Sequence, residues 1–469
     1  MFTDRKPFVN AASEIFDLNE RDKIKLYLSA ISINNIYYIV RRYLGHKKTM
    51  KSLSTLLLLF LSFVAVAQTT YLLTPDRIFD GEQFVNNQSI VVSGEKITAI
   101  GSKADLLKKY PSATVIDLKG KTLMPGIIEG HSHLFLHPYN ETPWNDQVLK
   151  ESRSLRTARA VKHAEATLLS GVTTVRDLGT EGAEYDDVGL KQAIEQGIIS
   201  GPRMIIATKA LIATGSYGPS GFAADFEVPQ GAEEADGIDD LTKAVRRQIG
   251  KGADIIKVYA DYRWGPNGEA RPTFTEIEIK LIVEIAASSG RKTVAHAATP
   301  EGMTRAINAG VSTIEHGDGG TSEVWKLMQE KDVCLCPTLA AGDAISQYRG
   351  WKKETDEKPE RIVEKRKSFQ GALNAGVKIC FGGDVGVYPH GENYRELELM
   401  VEYGMKPIDV LKSATSINAD VFELTNKIGR LKTGLLADII AVDGNPEQNI
   451  KTFRNVKFVM KSGQVYVNK

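Results

Sequence analysis

Apolar and polar positions follow two different rhythms along this chain. From 71 to 125 the apolar residues come in short runs broken by turn signals. Tyr71–Leu73, Ser89–Val92 and Lys96–Ile100 read as strands, with Asp80-Gly81 and Ser93-Gly94 between them. The far end has the same texture: Ala437–Val442, Asn455–Met460 and Gln464–Val467, punctuated by Asp443-Gly444 and Ser462-Gly463. Two β-rich ends that bracket a long middle predict one small β-sandwich built from both, over 68–125 and 425–469.

The middle, 126–424, alternates strand and helix. Gly126–Leu134, Thr173–Asp177, Arg203–Ala207, Ile255–Tyr259, Thr293–His296, Thr313–His316, Val333–Pro337 and Lys378–Phe381 read as strands. Thr157–Leu169, Ile277–Ala287, Thr304–Asn308, Val324–Glu330 and Ile362–Asn374 carry apolar residues at helical spacing. Eight strands, each followed by a helix or a helix-bearing loop, predict an α/β fold: a parallel (β/α)8 barrel of the TIM type. The polar, glycine-rich stretch Ala213–Gly237 reads as a long loop, of the kind that carries function or motion.

The first 67 residues stand apart. Lys47, Lys48 and Lys51 precede an apolar run, Leu53–Val64, which ends at Ala65-Val66-Ala67 before Gln68. A basic stretch, a short apolar core and an A-x-A site read as a secretory signal peptide. The run falls short of the roughly 20 residues that span a bilayer, so cleavage near Ala67 is expected; an uncleaved anchor is the alternative. Met50 fits a natural start, which makes 1–49 an upstream extension or a long basic leader. Secreted or periplasmic localisation follows, with the membrane met only during export.

Composition narrows the function. Of 469 residues, 42% are hydrophobic and 25% charged, with a net charge of +1. No basic field is present to hold nucleic acid. The three cysteines, Cys334, Cys336 and Cys380, leave at least one free thiol. Cys334 and Cys336 share one face of a strand and are not placed to bridge each other. All three are expected to be small buried apolar residues.

The reactive side chains gather at strand ends. His131 and His133 close the first barrel strand, and alternate residues of a strand share a face. Two such imidazoles bind a single metal at about 2.0–2.1 Å. Lys257 lies near the end of the fourth strand, His296 ends the fifth, His316 the sixth, and Asp384 follows the eighth. Taken singly, each has an ordinary structural reading: a histidine at a strand end, a snorkelling lysine, an aspartate in a turn. Together they occupy the C-terminal end of five strands, the face on which barrel enzymes build active sites.

These segments resemble the amidohydrolase superfamily over nearly the whole chain from Tyr71. Leu123-Met124-Pro125-Gly126-Ile127-Ile128-Glu129-Gly130-His131-Ser132-His133 is similar to its opening metal-binding segment. Gly429–Ile439 is similar to its return to the small domain. The resemblance implies a metal-dependent hydrolase holding two divalent metal ions. His131, His133 and Asp384 would bind one and His296 and His316 the other. Lys257, carboxylated on its amine, would bridge them. A bridging hydroxide would attack the substrate, and Asp384 would act as the catalytic proton carrier. Zinc suits histidine-plus-carboxylate ligation; manganese, cobalt and nickel also fit.

Within the superfamily the chain looks most like the imidazolonepropionase-like and Xaa-Pro dipeptidase-like branch, through Gly171–Asp177 and Thr313–Gly317. Lys257 favours the binuclear dipeptidase side, which implies a small-molecule or short-peptide substrate: a dipeptide or an N-acyl amino acid. Tyr259, His137, Arg176 and His390 are the candidate substrate-binding residues, with Asn393 on the same loop as His390. Trp264 reads as an apolar subsite or a loop anchor, and His163 as solvent-facing. Two rivals remain: a mononuclear deaminase or cyclic-amide hydrolase, and a non-enzymatic scaffold, which should have lost ligands that are all present here. Barrel amidohydrolases often form homo-oligomers, but no interface is legible in the sequence.

Overall fold

The computed structural model describes residues 69–469. The leader, its apolar run and its cleavage site lie outside the described residues. No helix among the described residues is long and apolar enough to cross a membrane.

The N-terminal strands are β1 (Thr70–Phe79), β2 (Phe84–Asn86), β3 (Ser89–Ser93), β4 (Lys96–Gly101) and β5 (Thr114–Pro125). In β5, Ile116 and Leu118 are buried while their neighbours face water, the period-2 signature of a half-covered strand. From Leu123 onward every residue is buried, as the strand passes under the rest of the chain.

The middle strands are β6 (Ile127–Ser132), β7 (Val172–Asp177), β8 (Arg203–Ile206), β9 (Leu211–Ile212), β10 (Glu233–Glu234), β11 (Ile256–Tyr259), β12 (Asp261–Tyr262), β13 (Arg271–Pro272), β14 (Thr293–Ala297), β15 (Thr313–His316) and β16 (Cys334–Cys336). The chain closes with β17 (Ile439–Asp443), β18 (Phe458–Lys461) and β19 (Gln464–Asn468).

Both chain ends join one eight-stranded sheet, in the order β19-β18-β17-β5-β1-β3-β4 with β2 paired to β1. The seam is the antiparallel pair β5–β17, where Met124 faces Ile440. A sandwich of two sheets was expected; the strands instead belong to a single sheet. It bends far enough that Gly463, in the β18–β19 turn, sits directly on the Gly94 carbonyl of the β3–β4 turn. Asp443-Gly444 is not a tight turn; a 3-10 helix, Ile450–Asn455, lies between β17 and β18.

Parallel pairing dominates the middle. β6-β7-β8 form one sheet, and β10-β9-β11-β14-β15-β16 another. Almost every residue of β6, β7, β11, β14, β15 and β16 is buried, as in strands covered on both faces. Backbone bonds link the two sheets at both ends. The Ile206 carbonyl of β8 accepts the Asp254 N–H at 2.8 Å, just ahead of β11. At the other end, Lys378–Phe381 lies between β16 and β6. The Leu335 N–H reaches the Lys378 carbonyl at 2.9 Å, and the Gly130 N–H reaches the Phe381 carbonyl at 3.0 Å.

Lys378–Phe381 was expected to be a regular strand. It keeps only an isolated bridge, Leu335 to Ile379. Beyond it, Gly382 presses on β6 so closely that a Cβ there would lie 2.8 Å from the His131 nitrogen. The same bridge brings Cys334 beside Cys380, and the two form a disulfide. That corrects the reading of three unbridged thiols; Cys336 remains free and buried. Sequence alone did not show which residue 46 positions away would lie alongside.

The anticipated helices are present and begin a few residues earlier than their apolar pattern, where caps fix them. Arg153–Leu169 starts at Ser152, whose hydroxyl accepts the Leu155 N–H. Glu276–Ala287 starts in a capping box between Thr275 and Glu278. Further helices, among them Asp186–Glu195, Gly237–Lys251 and Leu339–Tyr348, complete the cover.

Gly126 is the hinge between the end sheet and the parallel strands. A Cβ at this position would lie 2.2 Å from Thr173 Oγ1 and 2.8 Å from Thr173 Cβ. Gly126→Ala is therefore expected to destabilise the fold by about 1–3 kcal/mol through overpacking, read as a lower urea midpoint at unchanged slope.

Candidate active site

The C-terminal ends of the parallel strands open into a cavity of about 1790 Å³. His131, His133, His296, His316 and Asp384 all line it. His131 and His133 leave the end of β6 toward one point, with their Nε2 atoms 3.7 and 3.3 Å from Asp384 Oδ1. The His316 ring sits 5.1 Å from His131 and 4.4 Å from His296, centroid to centroid. Lys257, 1% exposed, is not part of the lining. Its Nζ lies 5.5 Å from the Tyr259 ring centre and makes no hydrogen bond or ion pair among the described residues.

Three imidazoles are aimed by their inner nitrogen. His131 Nδ1 pairs with Glu315 Oε2 at 2.9 Å, His133 Nδ1 with the Gly179 carbonyl at 2.8 Å, and His316 Nδ1 with Thr338 Oγ1 at 2.8 Å. Anchoring Nδ1 in this way turns Nε2 outward, the arrangement that metal-ligating histidines use. His296 differs, with its Nε2 3.8 Å from Asp261 Oδ1.

The donor set fits a divalent metal ion. One ligand atom each from His131, His133 and Asp384 lie within 4.8 Å of one another, two nitrogens and a carboxylate oxygen. Backbone strain marks the same spot: His316 has φ +75° and Asp384 φ +63°, conformations that cost about 1–3 kcal/mol each and concentrate at functional sites.

Burial and charge then set the protonation of the bare site. Burial, reinforced by the Lys257 charge, pulls His131 down to about 4 and His296 to about 3. Burial also works against charge on His133, but its hydrogen bond to Asp384 overrides that and holds the ring near 9. For Asp384, burial would raise the pKa; the His131 and His133 interactions outweigh it and hold the carboxyl near 2. Lys257 is lowered, mainly by burial.

The residues proposed to hold substrate divide. Tyr259 lines the cavity, stacked on His296 at 4.6 Å. Arg176, His137 and His390 do not line it and are held by protein groups, although His390 Nδ1 is buried without a hydrogen-bond partner among the described residues. Arg176 spends its guanidinium on the Gly130 carbonyl, Thr313 and Glu315. His137 is held between Glu141 and Glu151. His390 bonds the Leu136 carbonyl and stacks on His163 at 4.3 Å. His163 is accordingly half-buried rather than solvent-facing, bonded to the Leu134 carbonyl. Asn393 donates to Glu129 beneath the site, and Trp264 stays outside the lining.

Sequence reasoning missed Glu181, Tyr217, Tyr262, Arg263 and Arg361, all of which line the cavity. Tyr217 belongs to the glycine-rich loop Ala213–Gly237, expected to carry function or motion; nothing in the local pattern flagged the others.

The sequence profile of the amidohydrolase family matches residues 122–466. The chain belongs to the amidohydrolase family. It is 33% identical over 421 residues to an ochratoxinase from Aspergillus niger, covering 82% of this chain and 84% of that one. Among solved structures it is similar to a Xaa-Pro dipeptidase with methionine bound in the active site. That match has a TM-score of 0.75 and 32% identity, over 85% of this chain and all of the other (100%). A prolidase complexed with N-methylphosphonate-L-proline matches at TM-score 0.74 and 30% identity, over 86% and 100%. This amidohydrolase is a hydrolase acting on carbon–nitrogen bonds, in a family that is generally metal-dependent.

Two buried carboxyls in this amidohydrolase give separate tests. Glu315 is 0% exposed and neutralises Arg176. Glu315→Ala leaves that cation buried and unpaired, and should cost about 3–5 kcal/mol by denaturant titration. Glu396 accepts the N–H groups of Leu339 and Ala340, and burial raises its pKa to about 8. It keeps its proton in the folded chain after the unfolded chain has lost it. Its contribution is therefore complete below about 4.5 and is lost progressively as pH rises toward about 8. Glu396→Gln is expected to flatten stability across that window, measured by thermal melts from acid to mildly alkaline pH.

Proposed function

We propose that this amidohydrolase is a secreted, binuclear metal-dependent enzyme that cleaves the amide bond of dipeptides or N-acyl amino acids. The observation that carries the reading is the convergence of four imidazoles and Asp384 on one cavity above the buried Lys257. Its scaffold is read as a closed (β/α)8 barrel, supported by the backbone bonds that join the two parallel sheets at both ends. Export rests on the basic–apolar–Ala pattern of the leader.

In this reading His131, His133 and Asp384 would hold one ion and His296 and His316 the other. Lys257 contributes through its chemistry. Burial lowers its pKa, which favours the neutral amine, the form that adds to CO2. A carbamate would give the site two anionic oxygens that an ammonium cannot supply. Bound divalent ions, zinc by donor type, would polarise the scissile carbonyl and lower the pKa of water. Asp384, its Oδ1 3.7 and 3.3 Å from the Nε2 atoms of His131 and His133, would be placed to take the proton of the attacking water and return it to the leaving nitrogen. Arg263 and Arg361 line the cavity without a carboxylate partner among the described residues and would receive the carboxylate of the released amino acid. Methionine and a proline phosphonate in similar solved structures support a substrate that ends in an amino acid.

The test is metal content by mass spectrometry, with hydrolysis of a dipeptide and N-acyl amino acid library, on protein loaded with zinc and bicarbonate. Two ions per chain and a Lys257 mass increase matching CO2 are expected. Lys257→Ala should lose metal and about 100-fold or more in kcat. A single ion with unmodified Lys257, and activity only on cyclic amides or amidines, would replace this reading with a mononuclear deaminase or cyclic-amide hydrolase.

A further inference from the structure

Glu181 is a buried carboxylate, 3% exposed, in the wall of the catalytic cavity. Its φ is +49°, so the backbone is strained to place it. Every polar partner of its carboxylate is neutral. Trp144 Nε1 donates at 3.0 Å, the Tyr217 hydroxyl donates to the same oxygen, and the Tyr259 hydroxyl lies 3.4 Å from the other. No lysine or arginine pairs with that carboxylate among the described residues. Arg156 is nearby, but its guanidinium is spent on the carbonyls of Phe135, Thr180 and Glu181 itself.

Aromatic rings enclose the same space. Tyr217 lies 4.7 Å from Tyr259, 4.8 Å from Tyr262 and 5.0 Å from Trp144, centroid to centroid. Gly231 keeps the corner open: a Cβ there would lie 2.5 Å from the Trp144 ring and 3.4 Å from Glu181 Oε2. A carboxylate whose hydrogen-bond partners are all neutral, set among aromatic faces, suits a cation, which gains from both.

The place is close to the metal-ligating side chains. A methyl group on Gly179 would touch both Glu181 Oε1, at 3.4 Å, and the His133 ring, at 3.8 Å. In a dipeptide the free α-amine is two bonds from the scissile carbonyl carbon, so it must sit within such a distance of the reacting centre. An N-acyl amino acid carries no charge there.

We infer that Glu181 and its tyrosine–tryptophan cage bind the α-ammonium group of the substrate's N-terminal residue, which makes the enzyme a dipeptidase and disfavours N-acyl amino acids. This rests on the amide-hydrolase reading above and selects between its two substrate classes.

The experiment compares kcat/KM for L-alanyl-L-methionine and N-propionyl-L-methionine, which differ only in the α-amino group, and repeats the pair with proline in place of methionine. Wild type should favour the amine-bearing substrate by about 10- to 100-fold, the worth of one charge-assisted hydrogen bond. Glu181→Gln, which keeps size and an acceptor oxygen, should bring the ratio close to one. Equal rates in wild type, or an undiminished ratio in Glu181→Gln, overturn the inference and leave the amide-hydrolase reading standing. Hydrolysis of neither substrate, with any C-terminal residue, overturns both.

Discussion

Glu315 sits at the end of β15 with one oxygen 2.7 Å from Arg176 Nη2 and the other 2.9 Å from His131 Nδ1. Arg176 in turn reaches the Gly130 carbonyl at 2.6 Å and lies over the Phe422 ring at 4.3 Å. Three parallel strands, β6, β7 and β15, are thereby tied through one ion pair that excludes water. A buried pair of this kind is not a large net source of stability, since desolvation offsets most of its attraction. Its value lies in specificity. With Arg176 holding it well below the ordinary carboxylate range against the pull of burial, Glu315 stays charged and accepts the His131 Nδ1 proton. The outward nitrogen of that ring is then the one left free to take a metal ion.

A second carboxyl does the same for the backbone. Glu129 Oε1 accepts the N–H of His131 at 3.0 Å and of Gly383 at 2.8 Å, while Oε2 accepts from Asn393 Nδ2 at 2.8 Å. One side chain thus fixes the spacing between the histidine pair of β6 and the loop that carries Asp384. The strained φ at Asp384 is sustained by these contacts, because relaxing it would break a set of buried bonds at once. The Gly382-Gly383 pair is required for the same reason: a Cβ on Gly383 would lie 2.1 Å from the Tyr388 hydroxyl.

Much of this was legible along the chain, because strands announce themselves by local pattern and ligands cluster at strand ends. His131, His133, His296, His316 and Asp384 could be placed on one face without knowing any tertiary contact. What could not be read was partner choice. Arg176, His137 and His390 have the chemistry of substrate binders, yet each finds its partners on other elements, at Glu315, Glu151 and the Leu136 carbonyl. The converse holds for Glu181 and Arg361, which line the cavity without an ion-pair partner among the described residues. Lys378–Phe381 reads as a strand by composition, but its register is broken where the Asp384 loop turns away. The cysteines failed for the same reason, since only the pairing of Leu335 with Ile379 brings Cys334 and Cys380 together.

As proposed above, these side chains converge to hold a metal pair. Anomalous diffraction from crystals of the zinc-loaded protein, collected on both sides of the zinc absorption edge, addresses it without reference to any substrate. Two peaks are expected in the cavity, one among His131, His133 and Asp384 and one between His296 and His316, with continuous density from Lys257 between them. A single peak, or peaks away from these residues with Lys257 as a bare amine, would contradict it.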